Sequence, residues 1–173
     1  VEVGFGTAIA GENAYSPKTR VTDISVVSGL RYKPRSKVIL FPGPNSTTHL
    51  NSFSGENPEP REVCSKNYRE FQGLPIFASL LHRPQKNLAV SLQLPNGKIL
   101  IEGKDLCVVT ENNFLSTDPI YKSAGKSIIR ADHLVLIIPK SPLQEGKHRV
   151  DLVESGHPNM NWSFTYKAPD LKF

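Results

Sequence analysis

NLAVSLQLPNGKILIEG, residues 87–103, decides the fold. Leu88, Val90, Leu92 and Leu94 fall on one side of an extended chain, and Ala89, Ser91 and Gln93 on the other. That alternation has the period of two expected of a half-buried strand. Asn96-Gly97 follows, a dipeptide whose tolerance of positive φ makes it the strongest short hairpin signal. KILIEG (98–103) then returns, so an antiparallel pair is predicted at the middle of the chain.

The same grammar extends in both directions. Toward the C-terminus come LCVVT (106–110), HLVLIIP (133–139), HRVDLVES (148–155) and NWSFTY (161–166), separated by KSPLQEG and GHPN turns. Toward the N-terminus come GLPIFASLL (73–81), VILF (38–41), RVTDISVV (20–27) and VEVGFGTAIA (1–10). About eight or nine short strands at roughly ten-residue spacing, with turn residues between them, argue for an antiparallel sandwich. Residues 111–131 carry Asn112, Asn113, Asp118, Pro119 and Gly125 and read as a loop or a short helical turn. No stretch shows a sustained helical period. Composition agrees: 14 prolines and 12 glycines in 173 residues favour turns, and alanine, the best helix former, is scarce.

The fold class predicted is therefore all-β, an antiparallel immunoglobulin-like β-sandwich preceded by a β-hairpin. Residues 1–36 are the hairpin and linker, and residues 37–173 are the sandwich. Trp162, Phe164, Leu134, Leu136 and Val150 are expected in the core. Segment 42–70, with Pro42, Pro44, Pro58 and Pro60, is an irregular stretch, long for a compact domain. It either covers a sheet edge or displays contacts, and His49, Asn51, Phe53 and Tyr68 are its candidate binding residues.

Chemistry is mostly excluded. Gly4-Phe5-Gly6 opens a dinucleotide-loop pattern, but Ile9 stands where the third glycine belongs. AGKS (124–127) ends like a phosphate loop, but Ile120 replaces its opening glycine. No GxSxG, HExxH or calcium-loop pattern is present. No catalytic, cofactor-binding or metal-binding residue is predicted. His49, His82, His133, His148 and His157 are scattered. Two or more of His49, His82, His133 and His157 meeting beside a carboxylate in a deep pocket would argue for a hydrolase assembled by the fold. No apolar run approaches the ~18 residues of a membrane span.

The net charge is +5, concentrated at Arg20, Arg31, Lys33, Arg35 and Lys37. Only Tyr32 among the aromatics lies nearby, so a solvated basic loop is favoured over a nucleic-acid surface. Asn45-Ser46-Thr47 and Asn161-Trp162-Ser163 match the N-glycosylation triplet; the second falls in a predicted strand. Cys64 and Cys107 either form one disulfide, closing a loop of about 43 residues, or stay as two buried thiols. The chain starts at Val1 without a basic, apolar leader, so any signal peptide is expected to have been removed already.

From VILFP to the end, the chain resembles the immunoglobulin-like sandwich that follows the CAP (cysteine-rich secretory protein-like) domain in a group of secreted bacterial proteins. The matching stretches are VILFPGPNSTTHLNSFSGENPEP (38–60), GLPIFASLL (73–81), LVLIIPKSPLQEGKHRVDLV (134–153) and NWSFTY (161–166). VEVGFGTA (1–8) and RVTDISVV (20–27) resemble the strands that end the CAP domain itself. The CAP helices and its His and Glu cleft residues are absent, so no cleft activity carries over. The resemblance implies export and a non-enzymatic role in binding, adhesion or spacing at the cell surface. The partner class is a protein or a glycan. A lectin-like domain using loops 42–70 and 111–131 is the alternative function.

Overall fold

A computed structural model describes residues 2–9, 20–27, 36–53, 60–64 and 72–169. Two compact units divide the chain, Val1–Pro34 and Arg35–Phe173. In the first, β1 (Glu2–Ile9) and β2 (Arg20–Val27) form the predicted antiparallel hairpin, in register from Glu2 opposite Val27 to Ile9 opposite Arg20. The rest of the basic run, at Arg31, Lys33 and Arg35, lies outside the described residues, as does Tyr68.

The second unit is built from β3 (Ile39–Phe41), β4 (Thr47–Thr48), β5 (Ser52–Phe53), a 3-10 turn (Pro60–Val63), β6 (Gln72–Gly73), β7 (Ile76–Ser79), β8 (Ala89–Gln93), β9 (Ile99–Ile101) and β10 (Leu106–Val109). It continues with α1 (Pro119–Ala131), β11 (Leu134–Pro139), β12 (Gly146–Val153) and β13 (Met160–Tyr166). One sheet runs β10-β11-β7-β3 and the other β4-β13-β12-β8-β9. All pairings are antiparallel except β4 with β13, which is parallel. This is the immunoglobulin strand order: β3, β7, β11 and β10 stand as A, B, E and D, while β9, β8, β12 and β13 stand as C′, C, F and G.

The two sheets bury their facing residues in one core. β7 and β11 supply Ile76, Ala78, Val135 and Ile137; β8, β12 and β13 supply Val90, Leu92, Val150, Leu152, Trp162, Phe164 and Tyr166. The period-two pattern of 87–103 is realised as read: Leu88, Val90 and Leu92 are buried while Ala89 and Gln93 are exposed. Gly97 has φ +83 at the hairpin, and Asn96 Oδ1 accepts from Lys98 N. The indole of Trp162 reaches across to donate to the Pro42 carbonyl at 3.0 Å, tying β13 to the end of β3.

Three expectations need correcting. Residues 119–131 form a 13-residue helix rather than a loop or a short helical turn. Asp118 is its N-cap, accepting from Ile120 N (2.8 Å) and Tyr121 N (3.2 Å), with Pro119 in the first turn, an arrangement that favours a helix start. Only Gly125 and Ile129 are buried along it, so its apolar stripe is too thin to produce a visible period. Leu134 and Leu136 do not enter the sandwich core; Val135 and Ile137 do. Both leucines pack with Cys107, Val109, Phe114, Ile129 and Ile138 in a second cluster under α1. The uninterrupted apolar run of β11 thus reflects burial on both faces, as in sheets covered by helices. The described part of segment 42–70 is not wholly irregular: β4 extends the five-stranded sheet, and β5 pairs with β6.

Candidate functional site

The irregular segment meets the helix-bearing connection. Cys64 and Cys107 are joined, with Cα atoms 5.7 Å apart, so the 3-10 turn is anchored to β10. Glu62 on the same turn accepts from Ser116 Oγ (3.4 Å) and from Thr117 N. Parts of the two loops singled out for a lectin-like role, 42–70 and 111–131, are therefore held together beside β10.

Two cavities open along this side of the sandwich. One, of about 180 Å³, is bounded by Val63, the disulfide, Gly103 and Leu106. The other, of about 230 Å³, is bounded by Gln85, Lys86, Leu88, Thr110 and Asn112. Glu102, Val108 and Asn113 line both, so the two cavities adjoin as a groove bordered on each side by Glu102. Partial burial holds the Glu102 carboxyl above the ordinary carboxylate range. Among the described residues it has no ion-pair or hydrogen-bond partner.

The groove walls are fixed by their own hydrogen bonds. Asn113 Nδ2 donates to Val108 O (2.8 Å) and its Oδ1 accepts from Thr110 N (2.8 Å). Asn112 Nδ2 donates to Pro84 O (3.1 Å), joining the 110–118 loop to the β7–β8 loop. Arg83 and Arg130 flank Glu111 at 3.6 and 3.7 Å.

Next to Gln85 lies a second cluster. Glu154, at the end of β12, is 4% exposed. Its carboxylate accepts from Gln85 N (2.7 Å) and from His82 Nε2 (2.7 Å). A carboxylate only accepts, so Nε2 of His82 carries the proton. The His82 ring stacks on His157 at a centroid distance of 3.7 Å and an interplanar angle of 3°. Two of the named histidines thus do meet beside a carboxylate, but His82 is a third exposed and neither ring lines the groove cavities. Among the described residues no group of three His, Cys, Asp or Glu is arranged to hold a metal ion. Sequence reading missed Glu154 because its partners come from a loop 69 and 72 residues away.

The described candidate loop residues, His49, Asn51 and Phe53, sit away from this groove. His49 is exposed, with Nδ1 2.9 Å from the Lys167 carbonyl. The Asn51 carbonyl accepts from Leu74 N (3.0 Å) and Leu143 N (2.9 Å), and half-buried Phe53 belongs to β5 opposite Gln72. A third cavity, about 310 Å³, lies nearby between Gln93, Leu94, Pro95, Lys147, Arg149 and Ser163, with His148 on its wall.

His148 is fully buried and stacked on Phe164 at 5.2 Å. Its Nδ1 donates to Gly146 O (3.1 Å), leaving Nε2 as a buried lone pair without a partner among the described residues. Burial pushes this imidazole below the ordinary histidine value, and the bond to Gly146 acts the other way. Above about pH 6.5 the ring is neutral in both folded and unfolded chains, and its contribution to stability is fully present. As pH falls through that value the unfolded chain takes up a proton that the folded core resists, so stability drops, by at most about 1.4 kcal/mol per pH unit. Urea midpoints at pH 7.5 and 5.5 should fall more steeply for the native chain than for His148→Leu, which keeps the volume and removes the titration. Equal slopes would show that His148 does not carry the effect.

Among the described residues no helix is long and apolar enough to cross a membrane. No protein-family model matches the chain, and no curated protein matches it in sequence. Among solved structures it is similar to PcoC, a methionine-rich copper resistance protein from Escherichia coli. Sequence identity is 17%, the TM-score is 0.38, and the match covers 74% of this chain and 93% of that one.

Proposed function

We propose that this chain is a non-enzymatic, exported immunoglobulin-like module that binds a partner at the cell surface. The observation that carries the reading is the Cys64–Cys107 bond beside the groove. A disulfide persists in oxidising compartments. Here it holds a surface segment against β10, where that segment forms one wall of a cavity. The sequence resemblance adds the finer context of a sandwich following a CAP domain, with the hairpin of residues 1–36 as the tail of that domain. The segment carrying His49, Asn51, Phe53 and Tyr68 is a second contact surface in the same proposal.

The test has two arms. Protein taken from its native cells without reduction should show no reactive thiol by mass-tagging, and the purified full chain should co-sediment with envelope preparations from those cells. Two reactive thiols would overturn export. Failure to co-sediment would overturn the binding role.

A further inference from the structure

The groove beside β10 has a wall chemistry that selects its occupant. Extended peptides commonly bind a sandwich by adding a strand to a free edge. Much of the edge of β10 is already occupied. Its outward carbonyls at Leu106 and Val108 already accept from Gly103 N (3.0 Å) and Asn113 Nδ2 (2.8 Å), and Thr110 N is taken by Asn113 Oδ1 (2.8 Å). Recognition in the groove therefore rests mainly on side chains.

Those side chains are the carboxyl of Glu102, the amide of Gln85 and the ammonium of Lys86, with the Asn112 amide oxygen and the Thr110 hydroxyl, whose neighbours Pro84 O and Asn112 N hold them in place, beside the apolar Leu88 and Val108. A carboxylate accepts hydrogen bonds strongly, and amides both donate and accept. Vicinal hydroxyls on a ring with apolar C–H faces match that set. The two cavities are each small and share three lining residues, which suits consecutive units of an extended ligand rather than one enclosed molecule.

We propose that the groove binds a neutral, hydroxyl-rich glycan, with Glu102 as the residue that accepts from its hydroxyls. This rests on the binding role above and names the ligand class. It places the lectin-like alternative on 85–88, 102–113 and the disulfide-tethered turn, rather than on His49 and Phe53.

The experiment is affinity electrophoresis of the full chain through gels containing a soluble β-glucan, a mannan or a dextran. Neutral probes are required, because a chain of net charge +5 binds anionic polymers through charge alone. The expected result is retardation by at least one probe, with the dissociation constant raised about tenfold or more by Glu102→Ala, the scale of a lost charge-assisted hydrogen bond. Glu102→Gln, which keeps an acceptor, should fall between. The Glu102 side chain makes no hydrogen bond or ion pair among the described residues, so thermal melting should be unchanged in both variants. Lys147→Ala, in the separate cavity of about 310 Å³, should bind as the native chain does. Passage unhindered by all three probes overturns the assignment, as does retardation that Glu102→Ala leaves intact. Envelope co-sedimentation separates the two levels: if it persists while all three glycans fail, the binding role stands and the ligand class falls.

Discussion

Trp162→Ala should lower the unfolding free energy by about 3–5 kcal/mol, a large share of the stability of an ordinary domain. The side chain is 4% exposed and lies on β13 opposite Val150 of β12, in the main core. Truncation leaves a cavity that neighbours on two sheets cannot close. It also orphans the Pro42 carbonyl, which accepts from the indole at 3.0 Å in a buried setting. Trp162→Phe separates these contributions: most apolar area is kept and only the bond is lost, so about 1–3 kcal/mol is expected. Far-ultraviolet circular dichroism in urea is the measurement, since this is the sole tryptophan and its fluorescence disappears with it. A loss under about 1 kcal/mol for the alanine variant would place Trp162 outside the cooperative core.

Removal of the disulfide should cost about 4 kcal/mol in the chain-entropy view, given a separation of 43 residues between Cys64 and Cys107. The consequence is local as well as global. Val63 and Cys64 form one wall of the groove, and Glu62 holds Ser116 and Thr117 at the approach to α1. Reduction should therefore lower the melting temperature and open the chain to trypsin at Arg61, while the β12–β13 pairing retains slow amide exchange. Paired Cys64→Ala and Cys107→Ala substitutions should reproduce both effects. An unchanged melting temperature in reductant would show that the bond adds nothing to the fold.

The sandwich was legible because its central strands alternate cleanly and its hairpin turn is marked by Asn96-Gly97. Where one face packs and the other meets water, period two survives into the sequence. It failed at β11, where α1 covers the outer face and LVLII is apolar throughout, so parity no longer tells inside from outside. The helix escaped because it buries two residues and its start is written in Asp and Pro, the vocabulary of turns. The cysteine pair was visible as two cysteines, but the choice between a bond and two thiols required the 5.7 Å approach of their Cα atoms. The groove was half legible. Loops 42–70 and 111–131 were recognisable as surface, but Glu102 reads as the end of an ordinary strand, and its place between two cavities is a product of topology. The histidine–glutamate cluster shows the same limit, since His82, Glu154 and His157 come from the B–C and F–G connections.

That cluster also bears on how such a domain can diversify. The B–C and F–G connections are the segments that immunoglobulin-type domains vary most freely when they acquire new ligands. Here they are riveted together: one carboxylate holds the Gln85 amide and the His82 ring, and His157 lies flat against that ring. Neither segment can change length or sequence without the other following, so the end loops are poor ground for grafting. The tip at Asn96-Gly97 is the opposite: the space around Gly97 is open to 4 Å, and although its φ of +83 penalises a direct substitution, an insertion replaces the turn itself. An insertion library placed there should give folded protein far more often than one placed at residues 83–86.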